Sequence, residues 1–219
     1  MSYLGLLKRK EVWALTLRGW LTAFMVFAVI LLVFIFKIQP FLAITKPVNC
    51  DVMVVEGWFP DQALQKIVQE FKLKKYRLLL VTGGPIDQGY FLSEYKNYAR
   101  LGAVTLKRLG LNGEQIIAVP APYVARDRTY AAAQALKTWI DGSGLPIRCI
   151  NLYSLGAHAR RSGLLFEKAL GDQITVGVVA LEDQRYQPRS WWKTSSGVRE
   201  VISETIAYAY ARFFFSSFN

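Results

Sequence analysis

The sequence predicts a three-layer α/β domain, in which a mostly parallel sheet carries helices on both faces, preceded by one N-terminal transmembrane helix. Segments typical of strands and of helices alternate along most of the chain, an order that builds parallel sheets. The strand-like segments are nearly continuous apolar runs, as expected of parallel strands buried on both faces. A long uncharged run stands near the N-terminus. The 219 residues suffice for one domain with its own core and an appendage.

The uncharged run reads GWLTAFMVFAVILLVFIF and occupies positions 19–36. Roughly 18–20 apolar residues cross the hydrocarbon core of a bilayer as a helix. The alternative is a secretory signal peptide, whose apolar region is usually only about 7–15 residues long and precedes a small-residue cleavage site. Here the run is longer, and KIQP follows it. We therefore expect an uncleaved transmembrane anchor over residues 13–37.

The charges beside this run predict its orientation. The basic residues before it are Lys8, Arg9, Lys10 and Arg18. Only Lys37 and, further on, Lys46 follow it. Since the basic excess belongs on the cytoplasmic side, residues 1–12 should be cytoplasmic and the main domain extracytoplasmic. The chain would then be a single-pass protein of the bacterial inner (plasma) membrane.

The remaining chain is expected to be a linker at 38–49 and one α/β domain at 50–219. Five apolar runs have the length and composition of strands. They are DVMVVE (51–56), RLLLVTGG (77–84), QIIAVP (115–120), IRCINLYS (147–154) and QITVGVVAL (173–181).

Helices are predicted between and after these strands, where apolar residues recur every three to four positions. They lie at about 61–74, 93–110, 129–140, 158–170 and 198–215. Ser93 is the expected N-cap of the second helix, and Gly110 ends it. This order of elements predicts a Rossmann-like fold.

Polar clusters follow each predicted strand. They are EGW (56–58), TGGP (82–85), RDRT (126–129), HARRS (158–162) and RYQPRSWW (185–192). In an open parallel sheet, ligands bind beyond the carboxyl ends of the strands. We therefore expect the five clusters to share one crevice.

The residue types in these clusters indicate anion handling. Glycines let backbone N–H groups approach a ligand, helix N-termini attract anions, and arginine guanidinium groups match phosphate or carboxylate. His158 and Glu56 are the candidate acid–base residues. The candidate ligand-binding residues are Gly57, Thr82, Gly83, Gly84, Arg126, Asp127, Arg128, Thr129, Arg160, Arg161 and Ser162.

Each of these features also has a structural interpretation. Glycines after a strand are ordinary turn residues, and Asp127 or Thr129 can simply cap a helix. The arginines can form a solvated face, and a lone histidine is more often structural than catalytic. No metal site or cofactor is predicted, because one histidine and two distant cysteines do not form a typical zinc cluster.

The net charge of +11 favours anionic membrane surfaces or phosphorylated ligands. Nucleic acid, the other common partner of basic domains, is not expected for a domain outside the cytoplasm. Cys50 and Cys149 are compatible with a disulfide in an oxidising compartment, or with two buried thiols.

Several motifs together resemble the SanA/YdcF/ElyC-like family of bacterial proteins, over roughly residues 48–215. They are CDVMVVEGW, LLLVTGGP, RTYAAAQAL, YSLGAHARRSGLLFEKA and REVISETIAYAYARF. His158 and Arg161 match the family's H-x-x-R helix start, and Arg128-Thr129 stands where many members carry Asn-Thr. The sequence EGW replaces the family's more usual glycine-rich turn after the first strand.

This resemblance implies a Rossmann-like fold and, for several members, a single-span envelope protein linked to peptidoglycan or lipid-carrier metabolism. One cytoplasmic relative is associated with S-adenosylmethionine. We therefore expect the outer domain to bind or act on a phosphorylated or lipid-linked envelope precursor, as a hydrolase or transferase if it is an enzyme. The alternatives are a non-catalytic module that binds a ligand or envelope-assembly proteins, and a nucleotide- or S-adenosylmethionine-binding enzyme.

The last predicted helix carries an apolar stripe of Ile202, Ile206, Tyr210 and Phe213. This stripe fits either packing against the sheet or contact with a membrane interface, where aromatic residues are enriched.

Overall fold

The structure, a computed structural model, describes residues 13–216. The predicted cytoplasmic segment, residues 1–12, lies outside this range. Helix α1, Leu17–Leu42, is long and apolar enough to cross a membrane, judged by length and composition. The chain divides into two compact units between Lys37 and Ile38. Because α1 continues through Pro40, the segment predicted as a linker begins as helix.

The second unit is a five-stranded, entirely parallel sheet with helices between the strands. The strands are β1 Val52–Glu56, β2 Leu78–Gly83, β3 Ile116–Pro120, β4 Cys149–Leu155 and β5 Thr175–Leu181. The helices are α2 Asp61–Leu73, α3 Tyr98–Arg108, α4 Arg128–Ser143, α5 Ala159–Leu170 and α6 Ser195–Phe213. The predicted α/β fold is confirmed.

The strand order β3-β2-β1-β4-β5 places the switch in direction between β1 and β4. The chain builds outward from β1 to one edge, returns to the centre, and builds outward again to the other edge. Adjacent loops therefore leave β1 and β4 toward opposite sides and open a crevice at the carboxyl ends of these strands.

Alternation along the strands divides the core into two layers. Met53 and Val55 of β1 face a cluster that includes residues of α2 and α3. Val52 and Val54 face a second cluster that includes residues of α4 and α5. The sheet is thus covered on both faces, which explains why its strands are apolar throughout.

The start of the domain is fastened to the rest of the sheet. Lys46 pairs with Val178 in an antiparallel bridge along the outer edge of β5. Cys50 and Cys149 form a disulfide with Cα atoms 5.8 Å apart, beside the beginnings of the neighbouring strands β1 and β4. Of the two alternatives for the cysteines, the structure has the disulfide.

One expectation about a helix is wrong. The helix predicted from Ser93 begins at Tyr98, because the Asn97 side chain caps it by accepting a hydrogen bond from the backbone N–H of Arg100 at 2.9 Å. Residues 84–97 form a long loop instead, closed by a bridge between Pro85 and Asn97.

The apolar stripe on the last helix does not pack on the sheet. Ile206, Tyr210 and Phe213 are exposed, and the buried face of α6 carries Gly197, Val201, Glu204 and Ala211. An acidic residue therefore lies on the inner face of this helix.

Candidate functional site

A cavity of about 610 Å³ opens at the carboxyl ends of the central strands. Its walls come from the ends of β1 and β2 and from the beginnings of α3, α4 and α5. The residues that line it are Glu56, Trp58, Thr82, Gly83, Gly84, Pro85, Asp87, Tyr98, Ala125, Arg126, Asp127, Arg128, Thr129, Ala132, His158 and Arg161. Four of the five predicted clusters therefore meet in one crevice.

The fifth cluster, at 185–192, does not reach this crevice. Arg185 pairs instead with Asp183 at 2.6 Å and with Glu200 at 2.9 Å. Trp191 is buried. This segment is bonded to α6 through Arg185 and Glu200. The inner face of α6 carries Glu204, which contacts His158 of the site.

Glu56 is the last residue of β1 and is only 4% exposed. The Ser154 hydroxyl, at the end of β4, donates to its Oε2 at 2.6 Å, and the Ser162 hydroxyl on α5 donates to its Oε1 at 3.0 Å. Burial alone would raise the pKa of the Glu56 carboxyl. The positive charge of His158 and these hydrogen bonds outweigh burial and hold the pKa below its ordinary value.

His158 ends the short 3-10 helix Gly156–His158 that leads from β4 into α5. Its Nε2 lies 3.3 Å from Oε1 of Glu56, and its Nδ1 lies 2.9 Å from Oε1 of Glu204. Burial alone would lower the pKa of the imidazole, but the negative charge of Glu56 and the hydrogen bond to Glu204 raise it to about 9. This raised pKa favours the imidazolium at neutral pH, with Nδ1 hydrogen-bonded to Glu204 and Nε2 facing Glu56.

Arg161 lies one helical turn after His158 and completes the network. Its Nε donates to Oε2 of Glu204 at 2.8 Å and its Nη2 to Oε1 at 2.9 Å, a bidentate arrangement. Burial would raise the pKa of Glu204, but the bonds from Arg161 and His158 lower it to about 2. Nη2 also lies 2.9 Å from Nδ1 of His158, because both atoms donate to the same oxygen.

These four side chains form a buried network with no net charge, since two carboxylates alternate with two cations. Every charge has an opposite neighbour within 3.3 Å. Such pairing offsets the large cost of removing charges from water. The arrangement can present a proton donor to the crevice, whereas a carboxylate with a lowered pKa is a weak base.

Most predicted ligand-binding residues line the crevice. Thr82, Gly83 and Gly84 line it at the end of β2, and Arg126, Asp127, Arg128 and Thr129 line it at the start of α4. The backbone of Asp127, with φ 58° and ψ 35°, is left-handed, and its side chain does not cap α4. This strained turn leaves the first N–H groups of α4 beside the crevice.

Three predicted residues have other places. Ser162 is fully buried and holds Glu56 rather than lining the cavity. Gly57 lies against α3, where an added Cβ would stand 2.3 Å from the Tyr98 carbonyl oxygen. The guanidinium of Arg160 lies 3.9 Å from the centre of the Phe41 ring, outside the crevice.

The sequence did not point to Glu204 or Ser154. Glu204 lies 46 positions after His158, on a helix whose visible pattern was the exposed stripe. The available signal was the spacing of Val201, Glu204 and Ala211, which places an acidic residue on an otherwise apolar face. Ser154 is the last residue of the predicted fourth strand and lies four positions before His158.

Comparison of the chain with protein-family models, curated proteins and solved structures finds no match. The resemblance to the SanA/YdcF/ElyC-like family therefore stays a prediction from the sequence motifs.

Proposed function

We propose that this protein is a single-span envelope protein whose main domain binds, or acts on, a phosphorylated cell-envelope precursor. The observation that carries the proposal is the meeting of four clusters in one crevice, which is lined by two exposed arginines, the start of α4 and the buried His158 side chain. Cations and backbone N–H groups aimed into one cavity are the usual means of holding phosphate.

Arg126 and Arg128 are the anion-binding residues in this proposal. Both are exposed at the crevice, and no hydrogen bond or ion pair of Arg126 with another described residue is found. Arg161, by contrast, is committed to Glu204. Gly84 also lines the crevice, and an added Cβ there would meet no atom closer than 3.9 Å, so its backbone is open to a ligand.

His158 would act as a proton donor or as a fixed positive charge. Donation to a leaving oxygen would make the domain a hydrolase or transferase of phosphorylated substrates. Glu56 would keep the imidazole protonated and oriented, rather than take a proton from water.

A non-catalytic binding module is the second candidate function. One observation favours it, because both ring nitrogens of His158 already face carboxylates at 2.9 and 3.3 Å. A network closed in this way can serve only to shape the crevice.

Calorimetric titration of the full chain in phosphatidylcholine nanodiscs tests the proposal. The ligands are prenyl phosphates, sugar nucleotides and S-adenosylmethionine. Arg126→Gln should weaken binding of a phosphorylated ligand about tenfold or more, since a charged hydrogen bond contributes about 1.5–3 kcal/mol. Arg148→Gln, an exposed arginine beside the opposite ends of the strands, is the matched control. A folded protein that binds none of these ligands would contradict the proposal.

The orientation in the membrane is part of the same proposal. The basic residues before α1 support a cytoplasmic N-terminus and an extracytoplasmic main domain. Alkaline phosphatase fused after Asn219 should be active in this orientation. An active cytoplasmic reporter and an inactive phosphatase would favour the nucleotide- or S-adenosylmethionine-binding alternative instead.

A further inference from the structure

A second cavity of about 630 Å³ lies next to the crevice. It runs between the loop 84–97 and the segment from Pro122 to Arg128. The two cavities share the wall residues Gly84, Pro85, Asp87, Ala125 and Arg128. They are therefore two parts of one continuous depression with a common rim.

The second cavity, the apolar groove, differs in chemistry from the crevice. Ile86, Tyr90, Phe91, Tyr123 and Val124 contribute to its walls. Phe91 is 92% exposed and Tyr123 is 80% exposed, so large apolar side chains face solvent on both sides of the groove. Apolar surface of this kind, next to a polar pocket, is typical of ligand-binding sites.

The charged residues of the groove stand only at its junction with the crevice. There Arg128 Nη1 pairs with Asp87 Oδ2 at 2.5 Å, and both side chains are more than half exposed. An exposed ion pair contributes little to stability, so Arg128 can exchange this carboxylate for a ligand anion at small cost. Arg126 and the start of α4 lie on the crevice side of the same junction.

We propose that the site takes an amphiphile, a phosphate ester whose anionic head lies in the crevice and whose apolar chain lies in the apolar groove. The inference rests on the proposed function and specifies the ligand class within it. Charge complementarity places the phosphate at Arg126 and Arg128, and continuity of the depression directs the chain along Phe91 and Tyr123. A soluble sugar phosphate or nucleotide would leave the groove empty.

Binding of inorganic phosphate, butyl phosphate, hexyl phosphate and octyl phosphate to the full chain in phosphatidylcholine nanodiscs tests this inference. Each methylene moved from water into the groove should tighten binding by roughly twofold to fourfold. Titration of empty nanodiscs subtracts partition of the chains into lipid. The Phe91→Ser, Tyr123→Ser double variant removes two exposed walls of the groove. The matched control is Leu73→Ser, an exposed apolar residue at the end of α2 that lines neither cavity.

The expected result is affinity that rises with chain length, falls at least tenfold for octyl phosphate in the double variant, and is unchanged in the control. Affinity for inorganic phosphate should be equal in all three proteins. Equal affinity for phosphate and octyl phosphate would overturn the inference and leave the proposed function intact. A chain-length effect that survives the double variant would also overturn it, because the chain would then bind elsewhere. Failure of a folded protein to bind any phosphate would overturn the proposed function itself.

Discussion

Replacing Glu204 by glutamine should lower the pKa of His158 by roughly one to two pH units. The change keeps the shape of the side chain and removes its negative charge. In the structure, burial would lower the pKa of His158, but Glu56 and Glu204 raise it from 6.5 to about 9. That difference corresponds to about 3 kcal/mol of preference for the protonated ring.

The expected size of the change follows from what Glu204 contributes. It accepts a hydrogen bond from Nδ1 at 2.9 Å, in a setting where the His158 side chain is 10% exposed. A hydrogen bond to a charged group contributes about 1.5–3 kcal/mol, or half or more of the total preference. Glu56 remains as the second carboxylate. The pKa of His158 should therefore stay above the value that burial alone would give.

The sequence makes the assay direct, because His158 is the single histidine in the chain. A protein purified without a histidine tag and labelled with ¹⁵N-histidine gives one imidazole signal, which can be followed by NMR from pH 5 to 10. Glu167→Gln, an exposed carboxylate on α5, is the matched control. A wild-type pKa between 6 and 7, or a pKa that Glu204→Gln leaves unchanged, would refute the account of the network. The wild-type titration keeps this test valid even if the variant folds poorly.

Three further predictions concern stability, measured by urea unfolding of the full chain in detergent with tryptophan fluorescence. Because carboxylates raise the pKa of His158 to about 9, its contribution to the free energy of unfolding is complete below pH 6.5. About 3 kcal/mol of this free energy is lost as the pH rises through 9. A free energy of unfolding that is constant from pH 6 to 9.5 would contradict this. Joint replacement of Cys50 and Cys149 by serine should lower the free energy of unfolding by about 2–5 kcal/mol, because the disulfide closes a loop with a sequence separation of 99. A decrease below 1 kcal/mol would show that the disulfide adds no constraint. Gly57→Ala should cost about 1–3 kcal/mol through its clash with the start of α3, whereas Gly142→Ala, with nothing within 4 Å, should cost nothing.

The fold was predictable because its signals are local. Parallel strands buried on both faces must be apolar throughout, and the five predicted runs overlap the five observed strands. The start of α3 was misplaced because the stretch from Ser93 to Asn97 continues the helical pattern. Local spacing does not show that the Asn97 side chain caps the helix and that Pro85 pairs with this residue.

The site was predictable only in part. Its details depend on the direction in which each helical side chain points and on contacts between residues that are far apart in the sequence. His158 and Glu56 were expected to meet, since the ends of adjacent parallel strands lie at one edge of the sheet. Arg160 and Arg161 were both assigned to the crevice, yet neighbouring helical residues point about 100° apart. Only Arg161 faces the crevice, and Arg160 lies against Phe41.

The contact between His158 and Glu204 changes the proton chemistry that is expected from His158 and Glu56 alone. Two neighbouring groups can exchange acid and base roles when their pKa values lie close together, but here the carboxyl pKa is lowered and the imidazole pKa is raised. Glu204 widens the difference between the pKa values of His158 and Glu56, so proton transfer from His158 to Glu56 is unfavourable. Within the proposed function, His158 is therefore the acid, and Glu56 is a poor base. Binding of an anion near the imidazolium would raise its pKa further, which favours a role in neutralising charge over one in activating water.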